Sequence, residues 1–167
     1  NNMSSKGAPE INDLKKGEDY TSITFEPDLK QFHMQSLDND IVSLMIKRVY
    51  DMAGITNTKV KVYLNDEIIE IKNFFEYIDM YLDTHSKLEE KDIPKVYESP
   101  DERWEIGVSL SEGQFQQVSY VNAIATTKGG THVNYVTEKI TDHIQEILKK
   151  KNKKLTIKPH QIKQHLW

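Results

Sequence analysis

The chain has 167 residues, 37% of them hydrophobic and 29% charged, with a formal net charge of −4 and no cysteine. That composition describes a soluble globular protein rather than a disordered tail, and it excludes disulfides, thiolate metal sites and cysteine nucleophiles. No run approaches the ~20 apolar residues of a membrane helix, and Asn1-Asn2-Met3-Ser4-Ser5 lacks the order of a signal peptide. These features point to an intracellular protein. An internal Met3 and an apolar pattern interrupted at Trp167 suggest a cut fragment.

Along the chain, residues 1–19 are polar and read as loop. Tyr20 to Phe25 is rich in β-branched and aromatic residues and stops before Pro27, which predicts a strand. Ser36 to Ala53 carries Leu37, Ile41, Leu44, Met45 and Met52 near helical spacing. Ser36 or Asp38 is placed to cap that helix, and Gly54 to end it in a left-handed conformation. Val60, Val62 and Leu64 alternate with polar residues, and Ile68, Ile69 and Ile71 follow Asn65-Asp66, so a hairpin is expected. Asn73 caps a short helix with Phe74, Tyr77, Ile78, Tyr81 and Leu82 on one face.

Residues 83–101 are charged, contain Pro94 and Pro100, and read as a long connection with at most a short strand near Val96. Trp104, Ile106, Val108 and Leu110 alternate strictly and predict an antiparallel strand. Phe115 to Val121 predicts another, leading into a loop with Gly129-Gly130. Thr131 is placed to cap the strongest helix. Its stripe of Val133, Val136, Ile140, Ile144, Ile147 and Leu148 should pack on the two strands before it. A short Leu-Thr-Ile segment, Pro159 and a further helical pattern close an α+β order.

Charge is uneven. Residues 141–167 hold seven lysines against two acids, a net of +5, which leaves −9 for the rest. One or two lysines at a helix C-terminus complement its dipole. Five in the six positions Lys149 to Lys154 exceed that need, and on a protruding loop they would contact phosphates. A solvated charge run or a localisation signal is the plainer alternative. Gly129-Gly130-Thr131 could present backbone N–H groups to an anion, but it equally describes a tight turn into a helix, and no Walker or dinucleotide motif is present. The histidines show no zinc-hydrolase spacing. His132 beside the glycines reads as a side chain that fixes the turn. No serine elbow or other catalytic constellation is visible.

Three stretches together resemble eukaryotic type IIA DNA topoisomerases. They are Met34-Gln-Ser-Leu-Asp-Asn-Asp-Ile-Val through Tyr50-Asp-Met-Ala-Gly54, Phe115-Gln-Gln-Val-Ser-Tyr-Val-Asn-Ala-Ile-Ala-Thr-Thr-Lys-Gly-Gly130, and Lys149-Lys-Lys-Asn-Lys153 with Lys158-Pro-His-Gln-Ile-Lys163. Gly17-Glu-Asp-Tyr-Thr21 and Phe25-Glu-Pro-Asp28 extend the likeness nearly to the start.

The resemblance implies an α+β chain in two parts. Residues 1–54 would close a Bergerat-fold (GHKL) ATPase domain. Residues 55–167 would form most of a ribosomal-protein-like transducer domain with a left-handed βαβ crossover, stopping before the family's Gln-Thr-Lys loop. It implies a nuclear, homodimeric enzyme that uses ATP and magnesium to pass one DNA duplex through a break in another. The family's ATP-site and cleavage residues have no counterparts here, so no catalytic, cofactor or metal residue carries over, and the fragment alone is expected to bind neither ATP nor metal. What carries over is the basic run: Lys149, Lys150, Lys151 and Lys153 are expected to contact double-stranded DNA, with Lys154-Leu155 standing where the family often has two glycines. The rival reading is a free-standing, non-enzymatic nucleic-acid-binding α+β module.

Overall fold

A computed structural model describes residues 4–13, 17, 19–89, 93–153 and 156–167. The chain divides into two compact units, Asn1–Leu44 and Met45–Trp167. The division falls inside a helix.

In the first unit the stretch expected as a strand is not one. Residues 20–25 form no regular structure and pair with no strand among the described residues, and Tyr20, Ile23 and Phe25 are 85, 84 and 75% exposed. A strand needs a ladder to satisfy its backbone, and local propensity does not supply one. A 3-10 turn follows at Leu29–Phe32, capped by Asp28 and closed by His33 in the left-handed region (φ 55°). Asp38 caps helix α1 (Asn39–Ile55) by accepting from the Ile41 N–H at 2.9 Å, so the helix starts three residues later than Ser36.

In the second unit α1 buries Asp51, Ala53 and Gly54. Gly54 is not a left-handed terminator; it lies within the helix. A Cβ there would stand 2.5 Å from Tyr77 Cγ, so glycine is needed for close approach, not for a positive φ. The hairpin forms as expected: β1 (Tyr63–Leu64) and β2 (Glu67–Ile68) pair across Asn65 and Asp66, both at positive φ.

Asn73 caps α2 (Phe74–Glu89) by accepting from the Glu76 N–H at 2.9 Å, while Glu76 reaches back to the Lys72 N–H at 2.9 Å. This helix runs past the expected stop, and β3 (Lys95–Asp101) follows, so most of the supposed connection at 83–101 is regular structure. β3 pairs antiparallel with β4 (Trp104–Ser109) from Lys95↔Ser109 to Asp101↔Trp104. The register is irregular between Glu98 and Asp101, where Pro100 has no N–H to give the ladder.

Of the Phe115–Val121 strand only β5 (Tyr120–Val121) is regular, pairing with β6 (Ile124–Ala125) across Asn122 and Ala123 at positive φ. Upstream, the Gln116 N–H donates to Leu166 O (3.1 Å), while His165 to Trp167 pair on their other side with Ser109 and Ser111. Residues 165–167 thus sit between the end of β4 and residue 116. The three strand pairs of the described residues are all antiparallel.

Helix α3 (Thr131–Lys151) has Gly130 at its N-cap with no side-chain bond, and Thr131 is its first residue, so Thr131 is not the cap. The apolar stripe is half-buried, and Ile147 is 39% exposed. The most buried residues of α3 are Thr137 and Thr141, whose hydroxyls donate to Asn134 O and Glu138 O at 3.0 Å and so carry no unmet polar group inward. Val133, Val136 and Ile140 line a cavity of about 440 Å³ shared with Ile106 and Phe115, while Ile144 and Leu148 meet Ile162 and Leu166 of and beyond α4 (Pro159–Lys163).

Candidate nucleic-acid interface and a buried polar cluster

The expected loop lysines are mostly helical. Lys149, Lys150 and Lys151 form the last turn of α3, the Asn152 N–H closes it on Leu148 O at 2.8 Å, and Lys153 follows the cap. Lys154-Leu155 lies outside the described residues. The helix extends this far because lysine is a good helix former and its charge suits the negative end of the dipole. All four lysines are exposed, and among the described residues none is paired with an acid. Consecutive helical residues turn ~100° apart, so Lys149 to Lys151 fan through roughly 200°. They cannot all face one strand of a straight duplex.

Sequence reasoning missed a second site. Asp51 is 3% exposed, and it accepts from Lys47 Nζ at 2.8 Å and from the Tyr77 hydroxyl at 2.6 Å. The Tyr77 oxygen is also 2.6 Å from Tyr120 Oη and 3.0 Å from Tyr81 Oη. Burial alone would raise the Asp51 pKa, but hydrogen bonds from Lys47 and Tyr77 and the Lys47 charge outweigh it and hold the carboxyl below its usual range. Burial first, then the hydrogen bond to Asp51, pushes the Tyr77 phenol far above its ordinary value. Arg48 of the same helix donates to Ala123 O at 2.6 Å, gripping the β5–β6 turn. The legible signal was the Lys47–Asp51 spacing of four; nothing local joins it to Tyr77 or Tyr120.

His132 fixes the turn before α3: its Nε2 lies 3.0 Å from Thr126 Oγ1 and 3.4 Å from Ser119 Oγ. Its ring also fills the space a Gly130 Cβ would need, at 2.8 Å. The double-glycine turn is therefore occupied by its own chain. Among the described residues no three acids or histidines gather as a candidate metal site.

A family model for DNA gyrase B matches residues 73–167. The chain belongs to that family. The gyrase B match begins at the cap of α2 and takes in Tyr77, Tyr120, His132 and the four lysines. Across its full length the chain is 52% identical to DNA topoisomerase 2 of Arabidopsis thaliana, and over 99% of its length it is 48% identical to human DNA topoisomerase 2-alpha. It spans 11% of the length of each of these relatives. The structure matches the crystal structure of the ATPase region of Saccharomyces cerevisiae topoisomerase II with a TM-score of 0.87 and 45% identity, covering 99% of this chain and 41% of that one. A second structure of that region, bound to ICRF-187 (dexrazoxane), matches with the same TM-score at 46% identity. The resemblance to eukaryotic type II topoisomerases read from the sequence therefore holds.

Proposed function

We propose that this chain is part of an ATP-dependent type II DNA topoisomerase that passes one duplex through a transient double-strand break in another. The observation that carries the reading is the likeness to the yeast ATPase region over 99% of the chain, at 45% identity. In this reading residues 1–54 complete a GHKL ATPase domain and residues 55–167 supply most of the transducer. The left-handed βαβ crossover needs a parallel pairing. The segment after α3 lies beside the one before it, as such a crossover requires: the Gln116 N–H donates to Leu166 O. The intact enzyme would be a nuclear homodimer using ATP and magnesium, with those groups held by parts of the protein other than this chain. This chain relays nucleotide state mechanically and contacts DNA through Lys149, Lys150, Lys151 and Lys153. The same likeness to an ATPase region favours part of such an enzyme over a free-standing nucleic-acid-binding module.

The intact protein is expected to unlink catenated DNA circles when given ATP and magnesium, and failure to do so overturns the proposal. The 167-residue chain alone is expected to give a flat calorimetric titration with magnesium-ATP; saturable micromolar binding would place a nucleotide site inside it.

A further inference from the structure

Four hydrogen bonds lead from α1 to the helix that carries the lysines. Asp51 of α1 accepts from Tyr77, whose oxygen meets that of Tyr120 at 2.6 Å. Tyr120 opens the β5–β6 hairpin, whose turn is held again to α1 by Arg48 through Ala123 O. Beyond the hairpin, Thr126 donates its N–H to Ser119 O at 2.8 Å and its hydroxyl lies 3.0 Å from His132 Nε2, on the first turn of α3. From His132 a single helix leads to Lys149–Lys151; 21 residues at ~1.5 Å each make a rod of roughly 30 Å.

Two features of this path exceed what packing needs. Apolar residues of the same volume often stabilise a fold as well as a buried charged cluster does, so stability alone does not account for a buried carboxylate with three phenols. Ala123 is held at φ 63°, a left-handed conformation costly for alanine that the two-residue β5–β6 turn demands of both its central residues, and the Arg48 guanidinium donates to its carbonyl. A strained turn gripped by a charged donor is a joint with a preferred position.

We infer that Asp51, Tyr77, Tyr120, Thr126 and His132 form a polar relay that couples the position of α1 to the lysine-tipped helix α3. They are positioning residues for the stimulation of ATP hydrolysis by DNA. The inference rests on the topoisomerase reading, and the test separates the two.

In the intact protein, Tyr120→Phe and Thr126→Val each remove one hydroxyl and keep the shape of the side chain. Each is expected to lower the ratio of DNA-stimulated to basal ATP hydrolysis by about twofold to thirtyfold, the range of network mutations. Basal hydrolysis should stay, and thermal unfolding should remain above the assay temperature. Thr126→Ser, which retains the hydroxyl, should restore the ratio. The double variant should be no worse than the poorer single, because both cut one path. A ratio unchanged in both singles, effects that multiply, or a Thr126→Ser variant as impaired as Thr126→Val would overturn the relay. Absence of DNA-stimulated hydrolysis in the unaltered protein would instead overturn the topoisomerase reading.

Discussion

At Asp51 one carboxylate is buried and ringed by Lys47 and by a chain of phenols that begins with Tyr77; at the far end of α3 three lysines stand exposed with no acid paired to them among the described residues. Both regions concentrate charge on helices of one unit. In the first, Asp51 and Tyr77 have exchanged water for fixed partners, so removing one leaves the other without its buried partner. The second keeps its water, so removing a member changes what the surface attracts and little else. Stability should therefore reside in the first region and ligand binding in the second.

The sharpest break of that contrast is Asp51→Ala. It removes the charged acceptor shared by the Tyr77 hydroxyl and Lys47, and the expected cost is about 1.5–3 kcal/mol, the range for a lost hydrogen bond to a charged group. Equilibrium urea unfolding would measure it, and a change within error would show that the cluster is not sealed from water. The pH dependence has a definite sign. The folded carboxyl is held below its usual pKa, so its stabilisation is present above the unfolded value of ~3.9 and is lost as pH falls through the folded one. The stability gap between the natural chain and Asp51→Asn should narrow below pH 4 and stay constant from pH 6 to 8.

Gly54→Ala tests the same region through packing. Within a helix alanine normally gains up to ~1 kcal/mol over glycine. Here the new methyl would meet the Tyr77 ring at 2.5 Å, and overpacking of that kind costs about 1–3 kcal/mol. Net destabilisation is expected by thermal melting. A stabilised variant would mean that Tyr77 moves aside freely.

This glycine also shows where sequence reading stops. Its place near the end of an apolar period suggested a terminator, because glycine's two uses, positive φ and close approach, leave the same letter. Helices and the Asn65-Asp66 hairpin were legible because their signals are local: spacing, caps and turn chemistry. The Tyr20–Phe25 strand was not, since pairing is a property of the partner. Threonine was read as a capping residue at 131 and not weighed at 137 and 141, where its hydroxyl folds back and lets it be buried. At the candidate sites the lysine run was plain to see, but its helical continuation was not, while the cluster joins Asp51 to Tyr120, 69 positions away, through Tyr77.

A smaller effect is expected along α3 itself. Ile144 meets α4 and Ile147 is 39% exposed, so Ile144→Ala should cost about 1 kcal/mol more than Ile147→Ala. Equal costs, read from matched urea titrations, would mean that the stripe packs uniformly after all.

The smallest effect on stability is expected where the effect on binding is largest. Replacing Lys149, Lys150 and Lys151 together by alanine removes three exposed charges and leaves a good helix former in each place, so unfolding should shift by no more than ~0.5 kcal/mol. DNA binding should respond differently. Each phosphate contact contributes about −0.9 to the slope of log affinity against log salt. Because the three side chains fan through roughly 200°, one straight duplex should engage about two of them, and the slope of the intact protein should fall by close to 2 for each copy of the chain in contact. Contacts from these lysines to phosphates carry no sequence information, so the loss should be the same on unrelated sequences. In the intact enzyme DNA stimulation of ATP hydrolysis should weaken and strand passage slow, with basal hydrolysis preserved. A fall of 3 would show DNA bent around the helix end so that every lysine is used. An unchanged slope together with full stimulation would reduce the run to a solvated helix terminus, and the contrast with Asp51 to a difference in burial alone.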